Sequence, residues 1–375
     1  MSSLLKDIYS VSFYDTFSEL VGEVIPSFDK TKFKQLIFNN DWEKKELKER
    51  MKHTALVLHD FLPEDFDLSA KIIEQIFAKL EQIDSNVTSN ESVYLFEYMF
   101  FPEYIERFGL DHFETSVKTM EFVTQFTSCE FAVRPFIIKY GDRMIDQMLK
   151  WSLHKNEKVR RLSSEGCRPR LPWAMALPAL KNDPAPILPI LENLTNDPSE
   201  WVRRSVANNL NDISKDNPDI VIAIAKKWKG ISPETDAILK HGCRTLLKQG
   251  HPVILKYYQL NTSDKIELSN FKIINPRLTT GDDLVFSFTL HNREITLQNI
   301  RIEYGLYYLK QNGQHSKKVF KISERTFQPD EKADIVRKQS FRIITTRKFY
   351  SGLHKLSIII NGQEHTAAEF ELVIK

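Results

Sequence analysis

The sequence is poor in cysteine and lacks any long apolar run, and both absences narrow the class of protein. Three cysteines, an odd number, form neither a disulfide framework nor a zinc site built from paired cysteines. No apolar run reaches the roughly eighteen residues that a membrane helix needs. Residues 1–7 lack the basic-then-apolar order of a secretory signal. We therefore expect a cytoplasmic protein with no membrane partner.

The motifs of several enzyme classes are missing as well. The sequence has no His-x-Glu followed by Cys-x-x-Cys, which disfavours a zinc deaminase. It has neither a His-Glu-x-x-His metal motif nor a glycine-rich loop that could hold phosphates. Cys129, Cys167 and Cys243 lie at repeat-like positions, and packing explains them better than chemistry does.

Charge is distributed unevenly along the chain. The 375 residues are 42% hydrophobic and 27% charged, as in an ordinary globular protein with room for two or more domains. The net charge is +2, yet residues 1–133 carry 13 basic and 24 acidic side chains (−11), residues 134–260 carry 21 and 13 (+8), and residues 261–375 carry 18 and 13 (+5). This asymmetry suggests a polyanionic partner for the middle and C-terminal parts, with random surface charge as the alternative.

Residues 1–260 predict an all-α domain of HEAT-like repeats. Apolar residues recur at three- and four-residue spacing, as in the segment 72–80. The triplet Val-Arg-Arg at 159–161 recurs 43 residues later at 202–204, and a weaker copy follows about 36 residues further on, at 238–241. Such periods predict helix pairs stacked into a solenoid with a concave groove. A cationic stripe that holds DNA phosphates along this groove is expected from Arg160, Arg161, Arg203, Arg204, Lys240 and Arg244.

Residues 261–375 predict an all-β domain. Apolar and polar residues alternate in 284–290 and 300–304, and Asn312-Gly313 and Asn361-Gly362 are strong hairpin turns. Further strands are expected at 319–322, 340–344, 355–360 and 369–374. Roughly seven short strands fit an immunoglobulin-like sandwich. Its charge favours a DNA clamp, and a partner adaptor is the other interpretation.

Three acids lie within the basic region. Glu165 is three to five residues from four arginines, Arg160, Arg161, Arg168 and Arg170, and it is either a structural ion-pair partner or a site residue. Glu130 interrupts an apolar stretch, and Asp212 ends a polar run where a helix cap is the alternative. Trp173 is either a core residue or a platform that stacks on a base or sugar. Projected onto one groove, the three carboxylates within a ring of arginines form a candidate site.

These segments resemble the AlkC branch of the bacterial AlkD-like HEAT-repeat alkylpurine DNA glycosylases. The resemblance is carried by SEGCRPRLPWA at 164–174, VRRSVANNLND at 202–212 and EFAVRPF at 130–136, and it covers most of residues 1–258. Some members of the branch also carry a C-terminal immunoglobulin-like domain. The first 120 residues contain no motif that matches closely.

The resemblance implies a base-excision repair enzyme for alkylation damage. It implies monofunctional excision of 3-methyladenine and 3-methylcytosine from duplex DNA, with no metal or other cofactor and without a closed base-flipping pocket. It also implies that Glu130, Glu165 and Asp212 surround the lesion and that Trp173 contacts it. We expect phosphate contacts from Arg168 and Arg170 together with the cationic stripe, and a monomer associated with the nucleoid.

The chemistry of the reaction agrees with this interpretation. Cleavage of an N-glycosidic bond passes through an oxocarbenium-like sugar, which carboxylates stabilise while one of them activates water. A base that is already cationic leaves without protonation. The alternative, from a different functional class, is a non-catalytic HEAT-repeat scaffold that binds DNA or an acidic protein, because charge asymmetry and repeats fit it equally well.

Overall fold

The chain divides into two compact units. A computed structural model describes residues 4–85, 95–261, 263–343 and 347–374. The first unit is Met1–Gly242 and the second is Cys243–Lys375. Helices fill the first unit, whereas the second contains two short helices followed by strands. The predicted succession of an all-α and an all-β part is confirmed, and the domain boundary after residue 260 stays a prediction.

The described residues form sixteen α-helices, fourteen of them in the first unit. The helices are α1 (Val11–Val24), α2 (Lys30–Ile37), α3 (Leu47–His59), α4 (Phe66–Ser85), α5 (Phe100–Phe108), α6 (Phe113–Val123), α7 (Val133–Tyr140), α8 (Asp142–Trp151), α9 (Glu157–Gly166), α10 (Pro178–Asn182), α11 (Leu188–Asn193), α12 (Glu200–Ile213), α13 (Pro218–Trp228), α14 (Pro233–Gly242), α15 (Arg244–Lys248) and α16 (Pro252–Tyr257). Proline begins α13, α14 and α16, where its missing N–H has no helical partner to lose. Short 3₁₀ helices cover Leu5–Ile8, Trp42–Lys44, Phe96–Tyr98 and Ala185–Ile187. No described helix is long and apolar enough to cross a membrane.

Helices α9, α12 and α14 pack side by side as equivalent helices of successive repeats. Val159 and Val202 occupy the third position of α9 and α12, and both are fully buried. Buried polar contacts join the two helices, since Asn209 Nδ2 donates to the carbonyl of Ser164 at 2.8 Å. The repeat read from the Val-Arg-Arg triplets is therefore a structural equivalence.

The third copy of the repeat is offset from its predicted register. In α14 the third position is Thr235, so the positions equivalent to Arg203 and Arg204 are Asp236 and Ala237. Lys240 lies about one turn further along the helix. The weak sequence match at 238–241 aligned the apolar residues of α14 one turn late, because an amphipathic helix repeats its apolar face at each turn.

The strands of the second unit form two sheets. The described strands are β1 (Ile266–Ile273), β2 (Arg277–Thr279), β3 (Asp283–Asn292), β4 (Gln298–Leu309), β5 (His315–Phe327), β6 (Lys332–Ser340), β7 (Gly352–Ile360) and β8 (Gln363–Val373). One sheet has the order β1-β3-β6 and the other the order β2-β8-β7-β4-β5, and all pairs are antiparallel except β2 with β8. Alternate residues of β3, from Leu284 to Leu290, point into the core as the sequence predicts.

One predicted strand was misplaced. The segment 340–344 begins where β6 ends, residues 341–343 are not in a strand, and residue 344 lies outside the described residues. Strand β6 is at the edge of its sheet and is mostly exposed and charged, so it carries little apolar alternation. Such edges are common because charge discourages pairing with other chains.

The turn between β7 and β8 packs against the segments on both sides of α16. Asn361 Nδ2 donates to the carbonyl of Asn261 at 2.7 Å. Gly250 and Gly362 approach so closely that a Cβ on Gly362 would lie 2.7 Å from the Cα of Gly250. The short helices α15 and α16 therefore pack against the sandwich through these contacts.

We predict that Gly362→Ala lowers the free energy of unfolding of the second unit by about 3 kcal/mol, since it adds overpacking to the cost of a left-handed backbone. Gly313→Ala is the matched control. It lies in the other Asn-Gly turn with the same φ of +77°, but nothing lies within 4 Å of its added Cβ, so the expected loss is about 1 kcal/mol. Chemical denaturation measures both, and equal losses would contradict the packing role of Gly362.

Candidate active site

The loop that follows α9 is held by hydrogen bonds from a buried arginine. Arg134 of α7 is fully buried, and its Nη1 donates to the carbonyls of Gly166 at 2.8 Å and of Arg168 at 2.9 Å. Its Nε donates to the carbonyl of Met175 at 2.7 Å. Burial lowers the pKa of Arg134 to about 10, so the side chain stays charged at neutral pH. Sequence patterns assign Arg134 no role, although an arginine within an apolar helix indicates a buried polar contact of this kind.

Trp173 projects from this loop into solvent. Its side chain is 67% exposed, and its backbone is left-handed with a φ of +65°. A left-handed non-glycine residue costs about 1–2 kcal/mol. Lys48 of α3 donates to the carbonyl of Trp173 at 2.7 Å, which helps to hold this conformation. Of the two interpretations of Trp173, the core residue is wrong, and the stacking platform stays a prediction.

The three candidate acids are joined by basic side chains. Arg161 donates to Glu130 at 2.9 Å and lies 3.7 Å from Glu165. Arg168 donates to Glu165 at 2.7 Å and to Asp212 at 2.9 Å. Asp212 also accepts a hydrogen bond from Lys215 at 3.0 Å. We name this alternating series the carboxylate ladder, and its members are Glu130, Arg161, Glu165, Arg168, Asp212 and Lys215.

The ladder is buried in its middle and open at its ends. Glu165 and Asp212 are only 5% and 1% exposed, whereas Glu130 is half-buried. Burial opposes the charge of Arg168, but the two flanking carboxylates outweigh it and raise the pKa of the guanidinium. Glu165 gives Oε1 to Arg168, while its Oε2 has no hydrogen-bond partner among the described residues. That buried oxygen is the one carboxylate atom at the ladder's centre without a hydrogen-bond partner among the described residues.

The acids meet for a reason that the repeat does not predict. Asn208 of α12 occupies the position of Glu165 in α9, and Asp212 lies one turn further along. Glu130 is in the turn before α7 and not on a helix equivalent to α9. The arginines close these gaps, because Arg168 reaches across to the end of α12 and Arg161 reaches back to the turn.

A small cavity opens beside the outer end of the ladder. It has a volume of about 160 Å³, and its walls include Glu130, Phe131, Arg161, Trp173 and Trp201. Trp201 had not been singled out from sequence. The signal was its place in the first turn of α12, directly before the second Val-Arg-Arg triplet. The cavity thus brings together one acid, one arginine and four aromatic side chains, of which Phe96 is the fourth.

Several of the predicted phosphate-binding arginines are held within the fold. Arg160 donates to both oxygens of buried Asp197, at 2.6 and 3.0 Å, and this contact raises the pKa of its guanidinium. Arg203 donates to the carbonyls of Asp197 and Pro198. Arg161 and Arg168 belong to the ladder. These contacts occupy guanidinium donors that phosphates would otherwise use.

Other predicted phosphate-binding residues are more open. Arg170 is exposed and pairs with Asp216, and Arg204, 65% exposed, pairs with Glu200. Lys240 is exposed on α14. An open cleft of about 480 Å³ between α12 and α14 is lined by Arg203, Arg204 and His241. Arg244 begins α15 and belongs to the other compact unit.

The described residues offer little support for metal or thiol chemistry. Within residues 4–85, 95–261, 263–343 and 347–374, no group of three or more His, Cys, Asp or Glu side chains could hold a metal ion. All three cysteines are buried. Burial raises the pKa of Cys167 to about 12 and that of Cys243 to about 11, so neither thiol is ionised at neutral pH.

We predict that Asp197→Asn lowers the free energy of unfolding of the first unit by about 3 kcal/mol, because it leaves the largely buried guanidinium of Arg160 without its counter-charge. Glu200→Gln breaks the exposed pair with Arg204 and should cost about 0.5 kcal/mol or less. Denaturation followed by the helical circular-dichroism signal measures both. Similar small losses would show that Arg160 is not a structural ion-pair partner.

Comparisons with known proteins identify both parts of the chain. Residues 106–237 match the family model described as DNA alkylation repair enzyme, and residues 267–374 match the model described as Uncharacterised protein YhaZ, C-terminal Ig-like domain. The protein YhaZ of Bacillus subtilis is 41% identical over 368 residues, which cover 98% of this chain and 99% of that protein. The structure of Pseudomonas fluorescens alkylpurine DNA glycosylase AlkC, bound to DNA containing an abasic site analogue, is 32% identical. It superposes with a TM-score of 0.89 and covers 99% of this chain and 100% of that one.

Proposed function

The chain belongs to the AlkC branch of the DNA alkylation repair glycosylases, and we propose that it excises cationic N3-alkylated bases from duplex DNA. The proposed substrates are 3-methyladenine and 3-methylcytosine. The enzyme hydrolyses the N-glycosidic bond as a monofunctional glycosylase and leaves an abasic site. It acts as a monomer on DNA of the bacterial nucleoid.

The free oxygen of Glu165 is the observation that carries this proposal. Glu165 is anchored through Oε1 to Arg168, and its Oε2 is buried without a partner among the described residues. An unsatisfied buried carboxylate oxygen is costly unless a ligand or water completes it. A sugar that becomes an oxocarbenium ion, or the water that attacks it, supplies the missing contact.

Bond cleavage at a cationic base needs little help at the leaving group. The base departs with the electron pair of the N-glycosidic bond and becomes neutral, so no general acid is required. The sugar carbon takes the positive charge, which Glu165 stabilises while it orients the attacking water. Water adds to this carbon and loses its proton to the carboxylate.

The other residues of the site have supporting roles in the proposal. Glu130, at the open end of the ladder, adds negative charge on the side of the cavity. Asp212 fixes Arg168 and thereby the rotamer of Glu165. Exposed Trp173 stacks against the lesion. No closed pocket for a fully extruded nucleotide is needed, because the bond of a cationic lesion is already weak.

Phosphate contacts are assigned to the exposed cations. Arg170, Arg204 and Lys240 are the proposed contacts of the first unit, and the partners of Arg170 and Arg204 are themselves solvent-accessible acids. Exposed ion pairs are worth little, so phosphates can replace these acids at small cost. The basic balance of residues 261–375 supports an added DNA contact by the immunoglobulin-like domain.

We predict that Glu165→Gln retains duplex binding but releases 3-methyladenine at least about 100-fold more slowly, because the amide cannot stabilise the oxocarbenium charge. The matched control is Glu157→Gln, an exposed acid at the start of the same helix. Alkali-labile sites in methylated duplex DNA measure release. Parent-like activity of Glu165→Gln would refute the role of Glu165, and DNA binding without any breaks by the unmodified protein would support the scaffold instead.

A further inference from the structure

Arg161 lies between two acids of the ladder. Its Nη1 donates to Glu130 at 2.9 Å, and its Nη2 is 3.7 Å from Glu165. Its side chain is only 15% exposed. Two carboxylates that face one another across a single cation would repel each other without it. Both terminal nitrogens therefore act inside the site and not toward solvent.

An aromatic ring from the next repeat supports the guanidinium. The central carbon of the Arg161 guanidinium lies 4.3 Å from the centroid of Trp201, which is in the first turn of α12. Arginine stacks on aromatic faces with its planar group parallel to the ring, and this leaves its N–H groups free to bond in the plane. The ring of Trp201 supports one face of the guanidinium, and the N–H groups at the edge of the guanidinium face the two acids.

We propose that Arg161 is a positioning residue for Glu130 and Glu165, held in place by Trp201, and not a contact to DNA phosphate. The activity readout of this inference rests on the proposed glycosylase function. Arg161 holds the two carboxylates in fixed positions in the free enzyme. As charge develops on the sugar, the acids respond from fixed positions, and no reorganisation is needed at that moment.

A matched arginine separates positioning from phosphate binding. Arg204 occupies the same position in α12 as Arg161 does in α9, the fifth residue of the helix, but it is largely exposed. A phosphate contact contributes about 0.9 to the slope of log affinity against log salt concentration. We expect Arg204→Gln to flatten this slope by about 0.9 and to raise KM, whereas Arg161→Gln leaves the slope unchanged.

Arg161→Gln should alter the chemical step instead. We expect kcat to fall about 10- to 100-fold, because small displacements of catalytic groups have effects of this size. KM should change little, since Arg161 makes no contact with DNA phosphate in this proposal. The charged groups that face this position are Glu130, Glu165 and, beyond the latter, Arg168. Arg161→Lys should restore only part of kcat, because lysine keeps the positive charge but loses the planar group that bonds to both acids.

Variants of Trp201 provide a second test of the role of Arg161 if Arg161→Gln fails to fold. Trp201 is 36% exposed, so its replacement removes less packing than that of a fully buried tryptophan. Trp201→Leu should reproduce the fall in kcat, and Trp201→Phe, which keeps a ring face, should lose less. Thermal unfolding of each variant excludes loss of structure as the cause.

A flattened salt slope in Arg161→Gln, combined with an unchanged kcat, would overturn the inference and make Arg161 a phosphate contact. The salt dependence is measured with duplex DNA that holds a stable abasic analogue, so this arm needs no catalysis. If the unmodified protein releases no base, the proposed function fails, while the binding arm still decides the role of Arg161.

Discussion

The buried guanidinium of Arg168 is shared between Glu165 of one repeat and Asp212 of the next. Removing ionised groups from water costs several kcal/mol for each ion unless they are paired and hydrogen-bonded. Arg168 supplies such a pairing for both acids, and among the described residues it forms an ion pair with no other acid. The contact therefore fixes the rotamer of Glu165 and the packing of α9 against α12 together. Arg134 completes the arrangement, because it holds the carbonyls of the loop that carries Arg168.

The electrostatics of the site differ from those of a simple anionic groove. Three acids of the ladder face three bases, so the ladder as a whole is close to neutral. We attribute the attraction for a cation to the positions of the acids and bases within the ladder and not to its net charge. The bases alternate with the acids, and one buried oxygen of Glu165 is left without a hydrogen-bond partner among the described residues. A neutral ladder with one unsatisfied oxygen favours a positive charge at a single point, which suits a reaction that places charge on one sugar carbon.

Sequence patterns predicted the helices that carry the site better than the contacts that join its acids. The repeated Val-Arg-Arg triplets correctly identified α9 and α12 as equivalent helices, because the valines are buried in both and the first arginine after each valine donates to equivalent backbone carbonyls. The position of Asp212 could not follow from that repeat, since Asn208 holds the equivalent position. Only the long reach of an arginine side chain brings the acids together, and side-chain rotamers leave no periodic signal. Trp201 was missed for a similar reason, because its partner Arg161 is 40 residues away in the sequence.

The central claim is that Glu165 presents a carboxylate oxygen to positive charge on the sugar. The most direct measurement compares the affinity for duplex DNA that holds a cationic pyrrolidine abasic analogue with the affinity for a neutral tetrahydrofuran analogue. Transition-state stabilisation predicts that the cationic analogue binds at least about tenfold tighter, and that Glu165→Gln removes most of this preference. Equal affinities for the two analogues in the unmodified protein would contradict the account.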